Sequence, residues 1–423
     1  MRDKAGVLRR FGAAALLVLA ADGAARAAQK PLTWEQCAAV ALEANPDLAS
    51  SRFSLESTRA SFYQSFNGVM PQIGLTNSLS EGRTMPVNRW SAQATATMNL
   101  LNASQIESIR AASASVSAAE AALRKASADL RSSLRLAFSH LLFAQSSVDV
   151  ARTIEKLRER DAEMIELRYN SGTESKGNMM RTKAQALQAR LSVVAAQRDV
   201  DAARRELSQR LGREEYDEFV ASGTFGAAPP PPHPADLGAL LPLRPEVLIA
   251  EAAERQARVS VLQAESSVLP SLSGSYARST AGHTEFPTGN PSWTAGLTLS
   301  YPLFGNGPTS TWYGTKAARR SLDAAGRNLE SARVSGQTAL ESAWASYADA
   351  VDQVEIQQAL LLSARQRNDE ADIQYASGLL SFNNWEVIVS DRVSNESQIL
   401  SSLKSAMDAE TAWNRALGRA LGE

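Results

Sequence analysis

The sequence predicts a mainly α-helical chain with a small β part, and three observations predict it. Two stretches of 66 residues, Asn102–Leu167 and Thr309–Gln374, contain no proline; the first lacks glycine and the second holds only Gly314, Gly326 and Gly336. Four shorter segments alternate apolar and polar residues with period two, as strands do. The whole plan occurs twice, at an offset of about 200 residues.

Composition narrows the function before any motif is read. Of 423 residues, 44% are hydrophobic but only 6% aromatic, and 72 are alanine. Small methyl groups fill thin helix–helix seams better than a thick core. With 44 Lys+Arg against 45 Asp+Glu, the excess of positive charge that phosphate contacts require is absent, which argues against nucleic acid. One cysteine excludes an internal disulfide framework, and His140, His233 and His283 stand far apart without ligand-like spacing. Neither a metal site nor a cofactor is expected.

At the N-terminus, Arg2, Lys4, Arg9 and Arg10 precede an apolar run from Phe11 to Ala21, followed by Ala25-Arg26-Ala27. Basic, apolar and small-residue regions in that order read as a secretory signal peptide over residues 1–27, the alternative being a buried N-terminal helix. Cys37 follows Trp34-Glu35-Gln36, which is no lipobox, so an unmodified helical residue is expected. No later stretch of 18 apolar residues exists, so a membrane location requires a β-barrel.

Each half then reads as helix, strand, strand, long helix, turn, helix. Thr33-x-x-Gln36 caps a helical pattern reaching about Gly68, which Pro71 ends. Ile73, Leu75 and Leu79 alternate with Gly74, Thr76, Ser78 and Ser80, and a polar loop with Gly82 and Pro86 follows. Trp90, Ala92, Ala94, Ala96 and Met98 form the returning apolar set. In the second half Trp293, Ala295, Leu297, Leu299 and Tyr301 repeat it, beside a weaker strand with Leu272, Tyr276 and the charged Arg278. An apolar face opposite a small polar one suits a barrel strand between lipid and water, and equally a half-buried sheet. Along the first long helix Ile109, Val116, Leu123 and Leu130 recur every seven residues, with Ala112, Ala119 and Ala126 between them; Ala318, Ala325, Ala332 and Ala339 do so in the second. A strict seven imposes a left-handed supercoil. A rod of this length spans roughly 100 Å at ~1.5 Å per residue.

Five ordered matches support a tandem duplication. Asn45-Pro46-Asp47-Leu48 answers Arg244-Pro245-Glu246-Val247, and Val69-Met70-Pro71 answers Val268-Leu269-Pro270. Trp90 answers Trp293, Tyr169-x-Ser171-Gly172 answers Tyr375-x-Ser377-Gly378, and Leu211-Gly212-Arg213 answers Leu417-Gly418-Arg419. The domains expected are residues 28–225, a proline-rich linker at 226–235 with a solvated His233, and residues 236–423. Each tip turn offers a glycine for the left-handed end of one helix and a serine, Ser175 or Ser381, to cap the next. Phe382 and Trp385 fall near the second tip, where an exposed aromatic pair marks a docking surface.

On these motifs (the Asn-Pro-Asp-Leu-like openings, the Val-x-Pro strand entries and the Tyr-x-x-Gly-x-x-Ser tips) the chain resembles the TolC family of outer-membrane efflux proteins over nearly all of residues 30–421. The resemblance implies a homotrimer in outer-membrane lipid, in which long antiparallel helical hairpins form an α-barrel tunnel in the periplasm. Four strands are too few for a closed barrel, and the resemblance implies that three chains supply twelve. It also implies an exit duct of a tripartite efflux or type I secretion system, with no chemistry of its own. A periplasmic adaptor, or membrane fusion protein, docks at the tips and an inner-membrane transporter acts through it.

Carried onto this sequence, the docking tips are Arg168, Tyr169, Gly172 and Ser175 with Tyr375, Gly378, Ser381, Phe382 and Trp385. The pore gate candidates are Asn178, Tyr375, Asn384, Glu386 and Val387. The chain departs from the family where aspartates are usual, having Asn178, Asn384 and Val387, and Leu380 replaces the tip arginine. Glu386 is one residue from an acidic ring position, and a Tyr375–Asn178 bond is expected in place of a tyrosine–aspartate tie. The alternatives are a periplasmic coiled-coil adaptor or scaffold, for which a lipoyl-like domain rich in Gly and Val is missing, and an enzyme. For the latter the sequence offers no P-loop, no Gly-x-Ser-x-Gly and no paired histidines.

Overall fold

The computed structural model describes residues 30–82, 85–213, 219–302 and 307–422. The expected signal peptide lies outside the described residues. In chain order the elements are β1 (Lys30–Leu32), α1 (Trp34–Ala44), α2 (Pro46–Ser65), β2 (Gln72–Gly82), β3 (Met85–Leu101), α3 (Ala103–Asn170) and α4 (Lys176–Leu211). There follow β4 (Phe219–Ala221), α5 (Pro245–Ser266), β5 (Ser271–Gly282), β6 (Ser292–Ser300), α6 (Pro308–Ala376) and α7 (Phe382–Ala416). Helix dominates and the β part is small, as the sequence predicts.

The first helix is broken where one was expected to run on to Gly68. Thr33 and Gln36 do make the capping box. At Asn45, however, the backbone turns extended (ψ 122°), because the ring of Pro46 disfavours a helical predecessor. The Asn45 side chain then caps α2, accepting from the amides of Asp47 and Leu48 at 3.0 Å. The expected polar loop at Gly82–Pro86 is also tighter, since Gly82 pairs with Met85 and Pro86 belongs to β3.

Three tiers share one lateral order. The sheet runs β2-β3-β5-β6, antiparallel throughout. On one side of it α2, α3, α5 and α6 pack in sequence, and further along the rods the order is α4, α3, α7, α6. The first half thus supplies one edge at every level (α2, β2, α4) and the second half the other (β6, α6). With 68 and 69 residues, α3 and α6 each extend about 100 Å.

The buried seam differs in register from the sequence pattern. Ala114, Ala121 and Ala128 are the buried heptad of α3, whereas of the expected seam Ile109, Val116 and Leu123 are half-buried and only Leu130 is buried. Between two neighbours α3 turns its smallest side chains to the closest approach, and the larger ones spread to the rims. On α6, an edge helix, Ala318, Ala325, Ala332 and Ala339 are half-buried, while Leu329, Gly336 and Leu340 are buried.

The main core sits at the waist, where Cys37 and Ala41 of α1 meet Leu134, Phe138 and Leu141 of α3, Leu207 and Leu211 of α4, and Met407 of α7. Burial pushes the Cys37 thiol up to about 12, against a weaker opposing charge from Arg213. Within each half the opening and closing motifs of the repeat meet. Gly212 (φ 75°) ends α4 against the backbone of Ala44 and Asn45, and Gly418 (φ 73°) lies against Leu243, Arg244 and Pro245. A Cβ on Gly418 would stand 2.8 Å from the Leu243 carbonyl oxygen, so both positions need glycine for conformation and for space.

Two features were not legible in the sequence. β1 and β4 pair in parallel, Lys30 opposite Phe219, in strands too short for a periodic signal. The proline-rich segment is tied to α6: the Trp344 indole donates to the Pro231 carbonyl at 3.0 Å, and the Tyr347 hydroxyl to that of Ala228 at 2.6 Å. His233, expected to be solvated only, faces Glu341 at 3.1 Å and the edge of Trp344.

Candidate functional site

The two tip turns share one backbone. Thr173 N–H donates to the Arg168 carbonyl and Gly172 N–H to that of Tyr169; Leu379 and Gly378 repeat this with Gln374 and Tyr375. These are paired helix-ending motifs that need a left-handed glycine, and Gly172 (φ 77°) and Gly378 (φ 79°) supply it. The hydroxyls of Ser175 and Ser381 then cap α4 and α7, accepting from Asn178 N–H at 3.1 Å and Asn384 N–H at 3.4 Å. Both glycines border open space, so the turns themselves are free surfaces.

Between the hairpins lies a small core. Tyr375 stacks on Trp385 at 5.0 Å and 18°, with Phe382, Ile165, Leu157, Ala371 and Val389 around them. Phe382 is 7% and Trp385 0% exposed, which corrects the expectation of an exposed aromatic pair. Both begin α7 on the side packed against Tyr375 of α6 and the Leu157–Ile165 stretch of α3, where removing large rings from water outweighs display at the tip. The Trp385 indole also donates to Asp372 at 2.8 Å.

The expected Tyr375–Asn178 bond is absent; both residues converge instead on Glu174. The Tyr375 hydroxyl donates to one Glu174 oxygen, and the Asn178 amide donates to the other at 2.7 Å. Arg168 closes the arrangement, with its guanidinium 4.6 Å from the Tyr375 ring centre and donating to the carbonyls of Tyr375 and Ala376 at 3.0 and 3.3 Å. Burial acts to raise the Glu174 carboxyl, but the bonds from Tyr375, Ser175 and Asn178 and the Arg168 charge outweigh it and hold the group below the ordinary range. Burial and the Glu174 contact push the Tyr375 hydroxyl up. Glu174 carried no role in the sequence reading. A signal existed in the repeat, for at the offset of the tips Arg168 and Glu174 stand opposite the uncharged Gln374 and Leu380.

The remaining gate candidates separate. Asn384 is exposed and Val387 is 67% exposed, while Glu386 is buried. Glu386 accepts from Gln185 at 2.7 Å and pairs with Arg181 at 2.9 Å, both on α4, so its charge is compensated within the chain. Tyr169 and Arg168 are half-buried; Leu167, Ile373 and Leu379 are the large apolar side chains exposed beside the turns.

Seven residues above Arg168 lies a second unanticipated group. Asp161 is buried on α3 and neither of its oxygens accepts a hydrogen bond among the described residues. Arg160 stands 3.6 Å from it and 2.8 Å from Asp372 on α6, bridging the two carboxylates. Burial pushes Asp161 up to about 6, with Arg160 opposing, Asp372 reinforcing and Arg158 opposing that rise.

The sheet has two unlike faces. Directly paired residues of antiparallel strands point the same way, so the register puts Ile73, Leu75, Tyr276, Trp293, Leu297 and Leu299 on one exposed face. The other carries Thr76, Ser78, Gln93, Thr95, Ser275 and Thr298. No helix of the described residues is long and apolar enough to cross a membrane. Among those residues no cluster of three or more His, Cys, Asp or Glu is placed to hold a metal ion.

The family model described as "Outer membrane efflux protein" matches residues 38–213 and 237–419. None of the curated proteins matches the chain. Among solved structures, CusC superposes with a TM-score of 0.83 at 19% identity, covering 90% of this chain and 91% of its own. The outer-membrane channel OprN gives 0.79 at 20% identity, covering 91% and 90%. The open state of the Neisseria gonorrhoeae outer membrane channel MtrE gives 0.80 at 18% identity, covering 92% and 89%. At these identities the likeness is one of fold, and it spans the strands and both long hairpins.

Proposed function

The chain belongs to the outer membrane efflux protein family, and from that premise we propose that it forms a homotrimeric duct through which a tripartite system expels its cargo. One observation carries this reading: the same lateral order recurs in the strands and in both helical tiers, leaving two open edges at every level. Because β2 and β6 run in opposite directions, β6 of one copy can continue onto β2 of the next as an antiparallel pair. Three copies then make twelve strands and remove every edge, which lipid could not otherwise satisfy. The apolar face looks outward to lipid and the polar face lines the water path. Exposed Met180, Leu187 and Leu191 on α4 and Ile356 and Leu360 on α6 supply apolar stripes for the helical edges.

In this reading residues 1–27 direct export and are removed, and 28–225 and 236–423 are the duplicated units around the 226–235 linker. The adaptor meets the tip turns through Gly172, Gly378, Ser175, Ser381 and Tyr169 with Leu167 and Leu379, while Phe382, Trp385 and Tyr375 hold the surface from beneath. The gate is neutral where Asn384 and Val387 face the axis. The duct carries out no reaction.

Cysteine crosslinking tests the assembly. Leu191 lies 15 residues into α4 and Leu360 16 residues before the end of α6, so both stand about 23 Å from their turns. Oxidising the Leu191→Cys/Leu360→Cys double variant in outer membranes is expected to give a covalent trimer, and neither single variant should. Buried Cys37 is a poor competitor. A protein recovered as a soluble periplasmic monomer would overturn the proposal.

A further inference from the structure

Between Leu272 and Thr280 the paired rows on the apolar face of the sheet carry one charge. These rows are Leu272–Leu299, Met98–Gly274–Leu297, Ile73–Ala96–Tyr276–Ala295 and Leu75–Ala94–Arg278–Trp293, followed by Asn77–Ala92–Thr280. Arg278 is the only charged side chain in these rows, it is exposed, and it has no ion pair with another described residue. The segment 283–291 between β5 and β6 folds back over this face. The Asn77 amide donates to the Glu285 carbonyl at 2.7 Å and the Thr280 hydroxyl to that of Gly289 at 3.1 Å. A groove of about 700 Å³ remains between loop and sheet, lined among others by Leu75, Ala94, Arg278 and Phe286, and Phe286 is 70% exposed.

This geometry fixes a level in the membrane. An arginine on the lipid face of a barrel is most costly at the bilayer midplane and nearly free at the interface. In the row beyond Arg278, Asn77 and Thr280 are bonded to loop carbonyls, the Leu79–Trp90–Gly282 row after it adds a second tryptophan, and a long arginine stem reaches along this polar and aromatic belt toward the headgroups. Trp293, directly opposite Arg278, and Tyr276 one row below are the residues favoured at that boundary. A guanidinium presents a planar fork of donors that matches phosphate oxygens.

We propose that Arg278 and the folded-back loop 283–291 form a site for a phosphate-bearing lipid headgroup of the outer leaflet, with Phe286 and Leu75 against its acyl chains. The inference rests on the proposed outward orientation of the apolar face. The apolar walls beside the guanidinium favour a lipid over free phosphate.

Native mass spectrometry of the full mature protein in detergent, titrated with diphosphoryl lipid A, tests it. About one retained lipid per chain is expected, weakened about tenfold by Arg278→Gln, as loss of a charge-assisted pair predicts, and partly restored by Arg278→Lys. Arg89→Gln on the polar face should change nothing. Equal retention by wild type and Arg278→Gln overturns the site. If Arg278→Gln does not assemble, wild type is compared on dephosphorylated lipid A, and equal retention of both lipids overturns it likewise. Loss in Arg89→Gln as large as in Arg278→Gln, or a wild type that does not float with phosphatidylcholine vesicles, removes the orientation reading and the site with it.

Discussion

The Tyr375 hydroxyl donates to the carboxylate of Glu174, tying the end of the second long helix to the turn of the first hairpin. The two residues are 201 positions apart and belong to different halves of the chain. Arg168 holds the same tyrosine by its ring and its carbonyl, so one turn grips the other through charges that only the first half has.

Glu174→Gln should loosen this grip. A hydrogen bond to a charged acceptor is worth about 1.5–3 kcal/mol, reduced here to about 1 kcal/mol by the partial exposure of Glu174. The expected outcome is more frequent opening in planar-bilayer recordings at neutral pH. Because the Glu174 carboxyl is held below its ordinary range, the tie persists at and above pH 5 and is lost only as pH falls through that depressed value. An unchanged opening frequency would show that closure rests elsewhere.

Asp161→Asn should stabilise the protein. A carboxyl raised to about 6 by burial costs nothing below about pH 4, where both states are protonated. The cost grows as pH rises from about 4 to 6 and is full above that, amounting to about 3 kcal/mol. Thermal melting should therefore favour the variant at pH 7.5 and converge with wild type near pH 4. Equal melting at both pH values would mean that Asp161 is compensated when ionised.

The glycines divide by what surrounds them. Gly418→Ala meets a left-handed backbone and the Leu243–Pro245 chain at 2.8 Å, so it should lower the melting temperature clearly. Gly378→Ala meets the backbone penalty alone, about 1–2 kcal/mol, in open space. Gly172→Val and Gly378→Val should reduce export more than Ser171→Ala at equal trimer levels, because β-branching opposes the left-handed turn.

Trp385→Ala should cost about 3–5 kcal/mol as a buried aromatic, and Phe382→Ala somewhat less. Both are expected to lower melting temperature and trimer yield. Adaptor crosslinking per folded trimer should hold for either variant. A selective loss of crosslinking with normal melting would restore them to the docking surface.

Asn384→Asp should introduce cation selectivity, since a ring of three carboxylates attracts cations and Glu386 is already paired with Arg181. Reversal potentials in a salt gradient provide the check. A wild type as selective as the variant would place another acidic ring in the path.

Much of the fold was legible because it is written in local rules. Long runs free of proline, period-two strands, Thr33 as a cap and the two tip glycines each constrain the backbone within a few residues, and the repeat doubles most of these signals. Those signals sufficed for the element order and for the family resemblance. What they left open was which side chains meet. The seam of α3 fell on Ala114, Ala121 and Ala128 instead of the larger Ile109, Val116 and Leu123, because α3 has a neighbour on each side and small residues go where the axes come closest. Glu174, not Asn178, received Tyr375, and Trp385 turned inward, because those partners are set by the rotation of one hairpin against another. A heptad states that a helix has a seam; only the packed neighbours decide the angle at which that seam lies, and every side-chain partner at the tip follows from that angle.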